Sequence, residues 1–206
     1  MSAADALEQL SKQIRSCQKC PLGRLRTHAV PGEGPADAAI MLIGEAPGYY
    51  EDKQGRPFVG ASGRLLEKLL AEIHLTREDV YITNVVKCRP PANRDPLPVE
   101  IEACTPWLRQ QIALIDPLVI VTLGRFSMAQ FFPATARITR VHGQPLMQDD
   151  RVVVPMFHPA AALRNANWMK DMESDFAQIP ALLAKVRAQR AAREQANRGP
   201  EQLSLF

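Results

Sequence analysis

The residues in this 206-residue chain best suited to chemistry are its four cysteines, Cys17, Cys20, Cys88 and Cys104. Cys17 and Cys20 form a C-x2-C pair. Cys88 follows after 67 residues, and Cys104 after 15 more. Four thiolates can close an all-cysteine shell around zinc or an iron–sulfur cluster, and spacing does not separate the two. Pro21 puts the pair in a turn-like setting that can aim both sulfurs at one ion. Two other readings stay open: four unrelated buried cysteines, and a thioredoxin-type redox pair, although no strand precedes the C-x2-C. In a reducing cytosol disulfides are disfavoured.

Four further segments carry residues of chemical interest: GEAPG (44–48), GRPFVG (55–60), TNVVKCRPP (83–91) and HPAAALRN (158–165). Each is ordinary alone. A Gly-Pro loop after a strand is commonplace, a His-Pro pair is usually a structural turn, and an asparagine in a strand usually caps or fills a core. Glu51 taken alone reads as a solvated loop charge, and Phe58 as a core residue between Pro57 and Gly60.

The elements that must position these segments follow from periodicity. Residues 3–16 read as a helix, with Leu7, Leu10 and Ile14 at helical spacing. Apolar runs at 38–43, 79–86, 118–123 and 151–157 read as strands. Helices are expected at 62–73, 98–114 and 125–132, and over about 165–195, where Pro180 can interrupt. Apolar strands alternating with helices predict a three-layer α/β/α fold with a central, mainly parallel four-stranded sheet. The motif-bearing loops follow strand C-termini, where open α/β sheets bind ligands. Residues 1–185 are expected to form one domain and 186–206 a flexible polar tail.

Hydrophobic residues are 46% and charged residues 23%, ordinary globular usage that excludes global disorder. No run of 18 apolar residues is present, and the N-terminus lacks a signal-peptide core. The cytoplasm is the default expectation. Lys and Arg exceed Asp and Glu by 25 to 22, a net charge of +3, which permits a polyanionic partner without demanding one. Nothing demands an oligomer, and a monomer is expected.

Taken in this order and interleaved with the cysteines, the four segments resemble one family closely: the iron–sulfur uracil-DNA glycosylases, the family-4 branch of their superfamily. The resemblance runs from about residue 15 to about residue 185. It implies a [4Fe–4S] cluster held by Cys17, Cys20, Cys88 and Cys104, pinning the N-terminal segment and the 88–104 loop near the DNA-binding face. It also implies hydrolysis of the N-glycosidic bond of deoxyuridine in single- or double-stranded DNA, without lyase activity, on a base flipped out of the stack. Phe58 resembles the residue that stacks on uracil. Asn84 resembles the pyrimidine reader, whose amide offers both a donor and an acceptor to the O4/N3–H edge. Cytosine would leave these groups unpaired. His158 resembles the donor to uracil O2 as negative charge develops there, assisted by backbone amides near Glu45 and Ala46.

Ala46 stands where the best-known uracil glycosylases carry the aspartate that positions water, so Glu45 is the nearest carboxylate for that task. Glu51 resembles the residue that touches bound uracil, and it can also crowd C5 against thymine. Leu163 is a candidate wedge for the hole left by the flipped base, and Arg164 a candidate phosphate grip. Arg89, Arg94, Arg125 and Arg140 are further phosphate candidates. A related iron–sulfur branch traps abasic DNA covalently through an inserted histidine-bearing loop, but YYEDKQGRPFVG contains no histidine. A small iron–sulfur electron carrier is the remaining reading.

The last five residues form a separate signal. QLSLF, with Gln202, Leu203, Leu205 and Phe206, resembles the pentapeptide by which bacterial DNA-repair proteins hook the β sliding clamp. With that reading the expected location is the bacterial cytoplasm, at the nucleoid.

Overall fold

A computed structural model describes residues 2–148 and 150–197. Its centre is built from the apolar runs. Strands β1 (Ile40–Gly44), β2 (Tyr81–Asn84), β3 (Val119–Leu123) and β5 (Arg151–Met156) pair in parallel. Strand β4 (Leu146–Gln148) adds antiparallel to β5, and the spatial order is β2-β1-β3-β5-β4. The sheet thus has five strands, not the expected four. Leu146, Met147 and Gln148 are all exposed, so no in–out alternation marks them as a strand in the sequence.

Alternation along β1 shows why three layers form. Ile40 and Leu42 point to one face, where they meet Leu66, Leu69 and Leu70 of α4 (Ala61–Glu72), Phe176 of α9 (Ala166–Ala177) and Val186 of α10 (Ile179–Asn197). Met41 and Ile43 point to the other, against Leu10 and Ile14 of α1 (Ala3–Ser16) and Leu108 and Ile115 of α5 (Pro98–Ile115). A sheet buried on both faces requires the continuous apolar runs that these strands show.

The remaining helices are short: α2 (Leu22–Leu25), α3 (Tyr49–Gln54), α6 (Arg125–Met128), α7 (Ile138–Val141) and α8 (Pro159–Ala162). The C-terminal helical stretch breaks at Gln178, and Pro180 sits in the first turn of α10, where its missing N–H costs no bond. Helix α10 runs through the domain boundary expected at residue 185. Val186 is buried against the sheet, and Arg190 donates to Asp116 at 2.7 Å. Residues 186–197 therefore continue the helix, anchored at Val186 and Arg190, while 191–196 are exposed. The pentapeptide 202–206 lies outside the described residues. Among the described residues, no helix is long and apolar enough to cross a membrane.

Candidate active site

The parallel strands bring their C-terminal ends to one edge of the sheet, where Gly44 and Asn84 are direct register partners. The loops that leave these ends, with the one entering α8, enclose a cleft of about 570 Å³. Glu45, Ala46, Glu51, Phe58, Asn84, His158 and Arg164 all line it, so the substrate-facing residues expected from sequence come together. Leu163 sits beside them at the end of α8, 48% exposed, and so is not buried in a following helix.

The close approach at Gly44 sets the floor. A Cβ there would lie 2.4 Å from Asn84 Oδ1 and 2.6 Å from Phe58 Cζ. Only glycine lets the ring and the amide meet across the strand end. Phe58 is buried and its backbone is left-handed at φ 51°, a conformation that persists only when neighbours over-determine it. Arg77 supplies part of that constraint, donating to the carbonyls of Pro57 at 2.7 Å and Phe58 at 2.9 Å while its guanidinium is pinned by Glu33. Glu51 supplies more. Its Oε1 accepts from the amides of Val59 at 3.0 Å and Gly60 at 3.2 Å. One carboxylate oxygen of Glu51 is thus committed to shaping the platform.

Asn84 is 2% exposed and lines the cleft, and no protein group among the described residues bonds its side-chain amide. An amide turned to the cleft with no protein partner keeps its donor and its acceptor for a ligand. His158 lies near, its ring 26° from parallel with Phe58 and 5.9 Å away centre to centre. Its Nδ1 accepts from the backbone N–H of Ala160 at 3.1 Å. That bond leaves Nε2 to carry the proton. Burial drives the imidazole down to about 4, against the pull of Glu51, so the ring is neutral at pH 7.

A family model of the uracil DNA glycosylase superfamily matches residues 31–183. The chain belongs to that superfamily. It is 50% identical over 184 residues to a type-4 uracil-DNA glycosylase of Sulfurisphaera tokodaii, covering 85% of this chain and 84% of the relative. The type-4 uracil-DNA glycosylase of Saccharolobus solfataricus is 47% identical over 189 residues, covering 87% and 88%. That of Archaeoglobus fulgidus is 45% identical over 190 residues, covering 88% and 95%.

In this member of the uracil-DNA glycosylase superfamily, Cys17, Cys20, Cys88 and Cys104 line one small cavity between α1, α2, the loop after β2 and α5. Among the described residues no group of three or more ligand-type side chains is placed to hold a single metal ion. Four sulfur donors are the ligand chemistry of zinc or an iron–sulfur cluster. Trp107 Nε1 donates to Cys17 Sγ at 3.4 Å, Arg26 to Cys88 Sγ at 3.0 Å, and the Lys87 amide to Cys104 Sγ at 3.3 Å. Burial raises the Cys88 thiol and pushes Cys104 up to about 11, so these thiolates need a cation against them.

The arginine candidates divide. Arg94 lines the cleft but forks onto the buried Glu100 at 2.7 and 2.9 Å. Arg125 pairs with Asp95, and Arg89 donates to Asn93 at 2.6 Å. Arg140, on α7, does not line the cleft.

Three residues that shape or line the site escape a reading from sequence. Arg77 is remote in the chain from the carbonyls it holds. Asp95 sits in a loop with no periodic signal, yet it lines the cleft with Glu45. Lys87 reads as a surface lysine but is 1% exposed. It donates to Gln111 at 2.6 Å, Thr83 at 2.7 Å and the carbonyl of Asn84 at 2.7 Å. Burial pulls it down to about 7.

Glu45 is pushed up to about 7, chiefly by burial and next by Asp95, with Arg125 pulling the other way. A carboxyl raised on folding contributes stability that is complete below its unfolded pKa and lost as pH rises through the folded one. Glu45→Gln is therefore expected to match the native chain near pH 4, below the ordinary carboxyl value of 4.5. At about pH 8 it should be more stable by about 1–2 kcal/mol, a value discounted for partial contact with water. Thermal unfolding at the two pH values checks this.

Proposed function

We propose that this chain excises uracil from DNA by hydrolysing the N-glycosidic bond, leaving free uracil and an abasic site. The observation that carries the reading is that one cleft holds both an Asn84 amide with no protein partner and a neutral His158 whose free proton is on Nε2. Bond cleavage places negative charge on the departing base. A fixed N–H at uracil O2 stabilises that charge without reorganisation at the moment of reaction. Asn84 reads the O4/N3–H edge, and Phe58 presents its ring to the base.

Glu45, poised near neutrality, accepts a proton from water in its ionised form, the range in which a general base is most effective. Ala46 contributes its backbone at the same strand end. Leu163 enters the stack as the uracil leaves it, and Arg164 holds a phosphate. This reading takes uracil from single- or double-stranded DNA and involves no lyase step. Covalent trapping finds no support at the cleft, since none of His28, His74 and His142 lines it. His28 contacts the Asp52 carbonyl, and His142 is paired with Asp175. The enzyme acts as a monomer in the bacterial cytoplasm, at the nucleoid.

Cys17, Cys20, Cys88 and Cys104 would hold a [4Fe–4S] cluster, which supplies a structural cross-link between α1, the loop after β2 and α5. The residues fit such a group through their shared cavity and the N–H donors aimed at three of the sulfurs. The C-terminal Gln202, Leu203, Leu205 and Phe206 would engage an apolar pocket of a sliding clamp.

Three outcomes are expected. On a labelled oligonucleotide with one uracil, followed by alkali, the native chain yields a cleaved product. Asn84→Ala and His158→Ala should each slow single-turnover release by ~10²–10³, and equal rates in all three would overturn the assignment. Protein purified without oxygen should carry iron and acid-labile sulfide in equal amounts, about four of each per chain, and Cys104→Ser should lose them. Zinc in their place would contradict the cluster. Removing residues 202–206 should abolish retention on immobilised sliding clamp while leaving uracil release intact; unchanged retention would refute the clamp reading.

A further inference from the structure

The rim of the cleft carries two aromatic rings that the fold does not use. Tyr49 is 47% exposed and Tyr50 is 61% exposed, and their rings meet edge to face at 5.4 Å. They sit between Gly48 and Glu51, both of which line the cleft. Helix α3 is fastened without them. The buried Asp52 accepts from the Thr27 amide at 2.9 Å, and Glu51 accepts from the 59–60 amides. A buried aromatic needs no explanation, whereas an exposed aromatic pair beside a binding cleft does.

The surroundings of the pair are cationic. The Arg89 guanidinium lies 5.0 Å from the Tyr49 ring centre and Lys53 Nζ lies 5.8 Å from it. Arg89 is held in place by its bond to Asn93, another residue of the cleft wall. Among the described residues no cation lies over Tyr50, the more exposed of the two rings. Open aromatic faces interleaved with cations match single-stranded nucleic acid, because every base has a π-face and every linkage a negative charge. A strand that delivers a base into the cleft must carry its neighbouring nucleotides across this rim.

We propose that Tyr49 and Tyr50 form a stacking platform for the nucleobases flanking the flipped uracil, with Lys53 and Arg89 neutralising the phosphates between them. The inference rests on the proposed function and assigns that site a second, sequence-tolerant set of contacts. Stacking of this kind does not depend on which base is present, so it strengthens grip on a strand without narrowing sequence context.

The test uses fluorescence anisotropy at fixed salt on two single-stranded oligonucleotides. The first carries one 2′-fluoro-2′-deoxyuridine, which resists hydrolysis. In the second, the nucleotides on both sides of that residue are abasic tetrahydrofuran analogues. The native chain is expected to bind the second more weakly by about 5- to 150-fold for each stacked base lost. The double variant Tyr49→Ala/Tyr50→Ala should bind the first as weakly as the native chain binds the second, and should not distinguish the two. Tyr49→Phe/Tyr50→Phe, which keeps the ring faces, should restore native binding. If the native chain binds both oligonucleotides equally while still releasing uracil from an ordinary substrate, the platform is overturned and the glycosylase reading stands. If the native chain releases no uracil from any strand, that reading falls and the platform with it. The comparison of oligonucleotides on the native chain requires no variant to fold.

Discussion

The site depends on a side chain that is missing. Strand β1 ends at Gly44, directly opposite Asn84, and the space a Cβ would take is filled by the Asn84 amide and the edge of the Phe58 ring. This single close approach turns the end of a parallel sheet into a slot with the Asn84 amide on one side and an aromatic face on the other. It also explains the strain at Phe58. To reach Gly44 from the loop after α3, the chain passes through a left-handed residue, and three groups outside that residue hold it there: Arg77, Glu51 and the tight turn at Gly63. An added Cβ at Gly63 would lie 1.8 Å from the Phe58 carbonyl oxygen, so this position too must lack a side chain.

A second constraint lies beneath the slot. Lys87 is buried with no carboxylate bonded to it among the described residues, and its Nζ donates to three neutral oxygens, one of them the Asn84 carbonyl. Gln111 completes the net by donating to the Pro31 carbonyl and the Tyr81 hydroxyl. The same lysine donates its amide to Cys104, and negative charge at Cys104 and Cys88 opposes the effect of its burial. Asn84 and the cysteine cradle are therefore joined through one residue. Buried polar groups of this sort fix geometry more than they add stability, since a half-satisfied network costs more than an apolar core.

Much of this was legible in the sequence because it obeys simple periods. The four apolar runs became the four parallel strands, since a sheet covered on both faces needs uninterrupted apolar residues. The cleft residues could be named because they stand in loops that leave those strands or enter α8. What could not be read shares a different physics. Strand β4 is an exposed three-residue edge with no alternation to detect. Lys87 has the residue type of a solvated surface, and only its packing in three dimensions shows otherwise. Arg77 acts on the platform across a long stretch of chain, through carbonyls that carry no sequence identity. The helix expected to about residue 195 is present, but an alanine-rich, basic composition that suits a tether as well as a helix hid its anchoring past residue 185 through Val186 and Arg190.

The central claim is that the slot reads uracil with a neutral imidazole and a free amide, and nuclear magnetic resonance on the native, nitrogen-labelled chain addresses it most directly. The His158 ring is followed at neutral pH while free uracil is added. The account predicts a neutral ring with its proton on Nε2 and Nδ1 unprotonated, and uracil should shift both that Nε2–H signal and the Asn84 side-chain amide. A cationic ring, a proton on Nδ1, or saturating uracil that leaves both signals in place would contradict it.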